Sequence, residues 1–184
     1  MKYTTKSAYK MLSETLALGP SNPLAHSSSW KQIWDLDVPS KIKHFIWRAC
    51  YESLATKKNL FTKKVTRSAN YDLCHDGVED VIHALWGCQV IKEVWWEEPC
   101  FRNQLAMQFV DFRDLWIGIA RSNEHLLAER FAYVAWSIWH NRNATRLKIT
   151  CTPYNKIYGD MLDCLKEYQS GQIPTKIANP DSMV

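Results

Sequence analysis

Along most of the chain the apolar positions recur every three or four residues, the period of a helix with one buried face. The first stripe is Ala8, Met11, Leu12, Thr15 and Leu16, in a helix that Thr4 or Thr5 can cap and that runs to about Leu18. Gly19-Pro20-Ser21-Asn22-Pro23 stops it, and the polar run to Ser29 is the one linker inside the chain. After Trp30 and Trp34, Pro39 and Ser40 mark the entry to a helix with the stripe Ile42, Phe45, Ile46, Ala49 and Cys50. Lys41, His44, Arg48 and Tyr51 fall on its other side. A short helix is expected over residues 54–64 with Leu60 and Phe61 inward, then an irregular stretch with a turn at Asp76-Gly77.

From Val78 the helical period returns with Val81, Ile82, Leu85 and Trp86, then Val90, Ile91, Val94 and Trp95. Gly87 ends the first of these helices and leaves Cys88 at a bend. Glu97-Glu98-Pro99 breaks the pattern. Three more helices are expected: residues 109–120 on Phe109, Phe112, Leu115, Trp116 and Ile119; residues 123–147 on Leu127, Phe131, Val134, Ala135, Ile138 and Trp139; and residues 154–168. The tail from Ser170 carries two prolines and no anchor, so disorder is expected there. The core should be built on Phe45, Ile46, Trp47, Trp95, Phe131 and Trp139.

Composition agrees with a folded helical chain. Hydrophobic residues make up 46% of the 184, with nine Trp, and only six Gly and seven Pro. No apolar run is long enough for a membrane span, and the Met-Lys-Tyr-Thr-Thr-Lys start lacks the apolar core of a secretory signal. An intracellular protein with reduced thiols is therefore expected, whose sequon Asn143-Ala144-Thr145 stays unmodified.

Charge changes the picture more than composition does. The net charge is +4, yet between Lys41 and Arg67 there are eight Lys or Arg and one acid, Glu52. The other 15 basic and 18 acidic residues leave the rest of the chain at −3. Such a segregated excess is either a solvated helix face or a footprint for a polyanion. Its members are Lys41, Lys43, Arg48, Lys57, Lys58, Lys63, Lys64 and Arg67.

One stretch joins these features to a further pattern, Cys74, His83 and Cys88 spaced as Cys-x8-His-x4-Cys. Trp30, Ile33 and Trp34, then Val38, Pro39, Lys41, Ile42, Lys43, Phe45, Trp47 and Arg48, then Leu54 and Thr56, then Cys74, Glu79, His83, Cys88, Val94 and Trp95 fall in a specific order and spacing. In these residues the chain resembles the reverse-transcriptase zinc-binding domain of plant non-LTR retrotransposon polyproteins. The flanks, residues 4–10 and Trp136-Ser137-Ile138-Trp139-His140-Asn141-Arg142-Asn143, resemble the family's flanks too.

The resemblance implies a mainly α fold: a compact multi-helix domain with a short irregular Cys/His zinc-knuckle-like loop. It implies an order of parts, with a lead-in helix and linker over 1–29 and a zinc-binding-like module over 30–96. C-terminal helices over 97–169 pack on that module, and a disordered tail covers 170–184. It implies zinc as cofactor with Cys74, His83 and Cys88 as ligands, and Glu79, one turn before His83, as a carboxylate able to orient the imidazole. The chain departs from the family at Tyr71 and Asp72, where a cysteine and a proline are usual. A structural zinc site needs four ligands, so the centre is either weakened, with Asp72, His75 or water as the fourth ligand, or has lost its metal.

The resemblance further implies RNA or DNA as partner, bound weakly and without sequence preference through the basic segment, with possible association with reverse-transcriptase machinery. Trp47 or Tyr51 are placed to stack on bases. No polymerase Tyr-x-Asp-Asp, spaced carboxylate set, glycine-rich phosphate loop or nucleophile elbow occurs in the sequence. His140-Asn141-Arg142-Asn143 looks like a nuclease fragment but has no metal partners in the sequence. The expected function is thus a non-catalytic nucleic-acid-binding fragment of a retrotransposon polyprotein. A helical protein-interaction module or a functionless remnant are the alternatives.

Overall fold

A computed structural model describes residues 30–122, 124, 126–149 and 152–171. The expected lead-in helix, the linker to Ser29 and all of the tail beyond Gly171 lie outside the described residues. Contacts divide the chain into two units, residues 1–35 and 36–184. Of the first, the described residues 30–35 are helical.

The second unit is mainly helical. α1 (Ser40–Cys50) follows Pro39 and buries the five expected residues, Ile42, Phe45, Ile46, Ala49 and Cys50. Arg48 in its last turn complements the helix dipole, and its Nη2 donates to Ser53 O at 3.0 Å. The chain then reverses through Glu52, whose φ of 50° is left-handed. α2 (Lys57–Thr62) is shorter than expected because Thr56, whose hydroxyl accepts from Asn59 N at 3.3 Å, starts it. Phe61, expected inward, is 50% exposed, since so short a helix leaves only one side against the core.

A helical segment over residues 81–87 widens into a π-turn at His83–Gly87, and α3 (Gln89–Trp96) follows. α4 (Pro99–Leu105) arises where the sequence pattern was expected only to break. Proline at the first helical position needs no hydrogen-bonded N–H and already has helical φ, so it opens this helix rather than ending one. α5 (Phe112–Ala120) is capped by Asp111, which accepts from Asp114 N at 2.8 Å. α6 (Leu127–Arg146) and α7 (Tyr154–Gly171) complete the unit.

α6 is the central helix. It packs on α1, α5, α7 and the π-turn, while α3 packs on α4 and α7. In its second turn, Phe131 is fully buried and has ring centroids of Trp95 at 5.0 Å, Phe112 at 5.8 Å, Trp86 at 6.0 Å, Phe101 at 6.1 Å and Trp116 at 6.2 Å. Edge-to-face and offset contacts at such separations add to the area each ring buries. The Trp95 indole N–H donates to Leu85 O at 2.8 Å, so its polar atom is satisfied inside the core. Phe45, Ile46, Trp95 and Phe131 are core residues as expected, whereas Trp47 and Trp139 are only half-buried.

Candidate metal centre

The site is assembled from two pieces of backbone. The first is the loop closed by the antiparallel bridge between Asn70 and Val78. Tyr71 N donates to Gly77 O at 3.1 Å and His75 N to Tyr71 O at 3.0 Å. His75 and Gly77 take left-handed φ values of 55° and 81°, which curl the loop tightly enough to turn Cys74 inward. Asp76 N donates to Cys74 Sγ at 3.4 Å. The second piece is the π-turn. In an ordinary α-helix residues five apart sit roughly 140° apart around the axis, which would point His83 and Cys88 in different directions. Here Cys88 N reaches back to His83 O at 3.0 Å, five residues away, and Cys88 itself leaves the helix in extended conformation.

The result is a compact donor set. Cys74 Sγ lies 3.3 Å from His83 Nε2, and the Cys74, His83 and Cys88 donor atoms all lie within 4.8 Å of one another. A tetrahedron with zinc–sulfur bonds of about 2.3 Å and zinc–nitrogen bonds of about 2.0 Å has edges of roughly 3.5 to 3.8 Å. The three donors therefore fit three corners with small adjustments. Burial pushes the Cys88 thiol up, with the N–H groups of Ile91 and Val90 acting against it. A bound cation would take that proton off.

Beside His83 stands Tyr71. Its ring packs edge-on against His83, with centroids 5.6 Å apart, and it is 98% buried by a relative exposure of 2%. Its hydroxyl has no hydrogen-bond partner among the described residues. Burial pushes its phenol well above the usual tyrosine range. Asp72 pairs with Lys57, and His75 is exposed; neither joins the donor group.

Glu79 has a different set of partners from the one the sequence assigned it. It is 1% exposed and receives Arg142 Nε at 2.7 Å and Arg142 Nη2 at 2.5 Å on its two oxygens. It also accepts Lys57 N at 2.7 Å, placing a carboxylate at the N-terminus of α2. One buried side chain thus joins the loop before the π-turn to α2 and to α6. Arg142, which the sequence offered only within a family-like flank and a nuclease-like run, is the residue that reasoning missed. No local signal could have found it, because its partner lies 63 positions away. Arg142 also lies over the Trp139 ring at 4.6 Å.

The basic residues separate into groups. Lys41 and Arg48 are exposed on α1, with Lys43 between them half-buried. The Lys41 ammonium sits over the Trp136 ring at 4.5 Å. Lys57 is paired with Asp72, and Lys58 with Asp80 at 3.5 Å. Lys63, Lys64 and Arg67 are exposed together with Phe61 and Val65, just before the metal loop. Cys50 and Cys88 are buried, Cys74 and Cys100 half-buried and Cys164 exposed, all as free thiols. No helix among the described residues is long and apolar enough to cross a membrane.

The sequence profile described as zinc-binding in reverse transcriptase matches residues 3–95. The chain belongs to the reverse-transcriptase zinc-binding family. A relative in Arabidopsis thaliana named "putative ribonuclease H protein" is 24% identical over 94 residues, which cover 51% of this chain and 14% of that protein. The chain thus spans about a seventh of that relative's length. No solved structure matches it. The match to the zinc-binding family ends at Trp95, immediately after the second piece of the donor site, so α4 to α7 lie beyond it.

Proposed function

We propose that this chain is a non-catalytic nucleic-acid-binding domain of a retrotransposon-type polyprotein, with a zinc centre reduced to three protein ligands. The observation that carries the reading is the surface at the end of α2, where Lys63, Lys64 and Arg67 stand exposed beside Phe61 and Val65. Unpaired cations beside an apolar side chain suit a phosphate backbone whose bases lie on the protein. That surface leads directly into the 70–78 loop, so whatever holds Cys74 and His83 together also holds the surface in place. Cys74, His83 and Cys88 would hold zinc, which when bound supplies a structural cross-link between loop and π-turn. Within a longer protein such a domain would position an RNA or DNA strand for catalytic parts elsewhere in the polyprotein.

The test is a titration of the chain with a labelled single-stranded RNA at several salt concentrations. Affinity should fall steeply with salt. Replacing Lys63, Lys64 and Arg67 together with Ala should lower the slope of log K against log salt by about 2, the loss of three phosphate contacts. An unchanged slope would favour a protein-interaction module instead.

A further inference from the structure

Tyr71 carries a buried hydroxyl that the metal centre does not use. The residue is 2% exposed, and its oxygen has no hydrogen-bond partner among the described residues. A buried hydroxyl left unpaired is costly, so its surroundings decide what it is for. Burial pushes the phenol up most; Tyr154, Glu79 and Cys88 push the same way, and Arg142 opposes them. Tyr154, Glu79 and Arg142 are also neighbours in space. With Tyr71, Asp72 and Arg146 they border a pocket of about 110 Å³ between the 70–78 loop and the end of α6. A single water needs about 10 to 15 Å³ of such space, so the pocket has room for a larger guest. Its charges are unevenly matched. Both Glu79 oxygens are taken by Arg142, and one of them also accepts Lys57 N. Asp72 is paired with Lys57. Arg146 is the cation left over: it is exposed, lies one turn beyond Arg142 on α6, and has no ion-pair partner among the described residues. The groups left unmet are therefore donors, a phenol and a guanidinium, and the guest they fit is a small anion.

We propose that this pocket binds one phosphate group, with the Tyr71 hydroxyl donating to one oxygen and the Arg146 guanidinium to others. A phosphate presents acceptor oxygens in a tetrahedron, so a phenol can meet it on one side and a guanidinium, in a two-point fork, on another. The two donors choose an oxyanion, and phosphate is the one that a nucleic-acid strand carries. Its source is either free phosphate or a strand's terminal phosphate, which has a single substituent to lead out of so small a pocket. In the second case the inference rests on the reading of the chain as a nucleic-acid-binding domain and gives that domain an end-binding site; in the first it stands alone. Tyr71 occupies a position where the family usually has a cysteine. The same change that leaves the metal centre with three ligands thus supplies this pocket with its donor.

The experiment titrates the full chain, freed of metal, with inorganic phosphate in a calorimeter, with chloride at the same ionic strength as the control for screening. The variants are Tyr71→Phe, which keeps the ring against His83 and removes only the hydroxyl, and Arg146→Gln on the surface. Without phosphate, Tyr71→Phe should melt no lower than the natural chain, because the lost group had no partner. Each variant should bind phosphate about tenfold more weakly, the worth of one hydrogen bond to a charged group. Phosphate should raise the melting temperature of the natural chain and much less that of Tyr71→Phe. One short oligonucleotide made with hydroxyl ends, a 5′-phosphate or a 3′-phosphate tells the sources apart. Tighter binding of a phosphorylated form, lost in Tyr71→Phe, assigns the site to a strand's end; equal binding of all three assigns it to free phosphate. Undiminished phosphate binding in Tyr71→Phe, or no rise in melting temperature beyond that in chloride, would overturn the pocket and leave the nucleic-acid reading standing. Oligonucleotides that fail to bind while inorganic phosphate still does would overturn the nucleic-acid reading and leave the pocket.

Discussion

Phe131 and Arg142 lie three turns apart on α6 and do opposite kinds of work. Phe131 has five aromatic rings around it and no exposure, so its removal leaves a cavity that rigid neighbours fill poorly. Phe131→Ala should cost roughly 3 to 5 kcal/mol in chemical denaturation, and a loss near zero would mean that α6 is not the centre of the core. Arg142 is buried for another reason, because Glu79 is buried beside it. Removing one partner leaves a lone charge, so Arg142→Met should cost about 3 to 5 kcal/mol, whereas Glu79→Gln with Arg142→Met should recover most of that loss. A double variant as unstable as the single would show that the pair contributes through packing rather than charge. Phe131 was legible in the sequence because apolar residues announce burial by their period. Arg142 was not, because a buried ion pair joins positions 63 apart that no local pattern connects.

At the scale of elements, α1, α3, α5 and α6 follow their apolar stripes, and their ends differ from the expected ones by only a few residues. α4 was hidden because its opening proline reads as a breaker unless its place at the first turn is known. The π-turn was also hidden, since a side-chain period cannot show which carbonyl an amide will choose. The two glycines around it divide the labour in a way that residue type alone conceals. Gly87 ends the helical segment and leaves Cys88 at a bend, as expected, yet its φ is not left-handed, and a Cβ there would meet Ile82 O at 3.7 Å, an ordinary contact. Gly77 has φ +81°, and a Cβ would have room, with His83 Cε1 3.9 Å away, but a strained backbone. Gly77→Ala should therefore destabilise by about 1 to 2 kcal/mol, while Gly87→Ala should be neutral or stabilise by up to about 1 kcal/mol. Thermal melts of the two variants check this. Equal losses would mean that the 70–78 loop does not need its left-handed turn.

For the molecule as a whole, the helices from α1 to α7 carry the fold, and the metal loop is a small appendage tied to them through Glu79, Arg142 and the π-turn. The three donors already gathered beside a buried tyrosine make the central proposal concrete: the centre would bind zinc through Cys74, His83 and Cys88, with Tyr71 weakening it. The most direct measurement is a zinc titration against a competing chelator, on the metal-free natural chain and on Tyr71→Cys. The account predicts one zinc per chain in both, held at least about a hundredfold tighter by Tyr71→Cys, whose melting temperature should rise with zinc by mass action. If the natural chain already holds its zinc as tightly as Tyr71→Cys and yields it only slowly to the chelator, another group such as Asp72 or His75 completes the centre, and the claim is wrong.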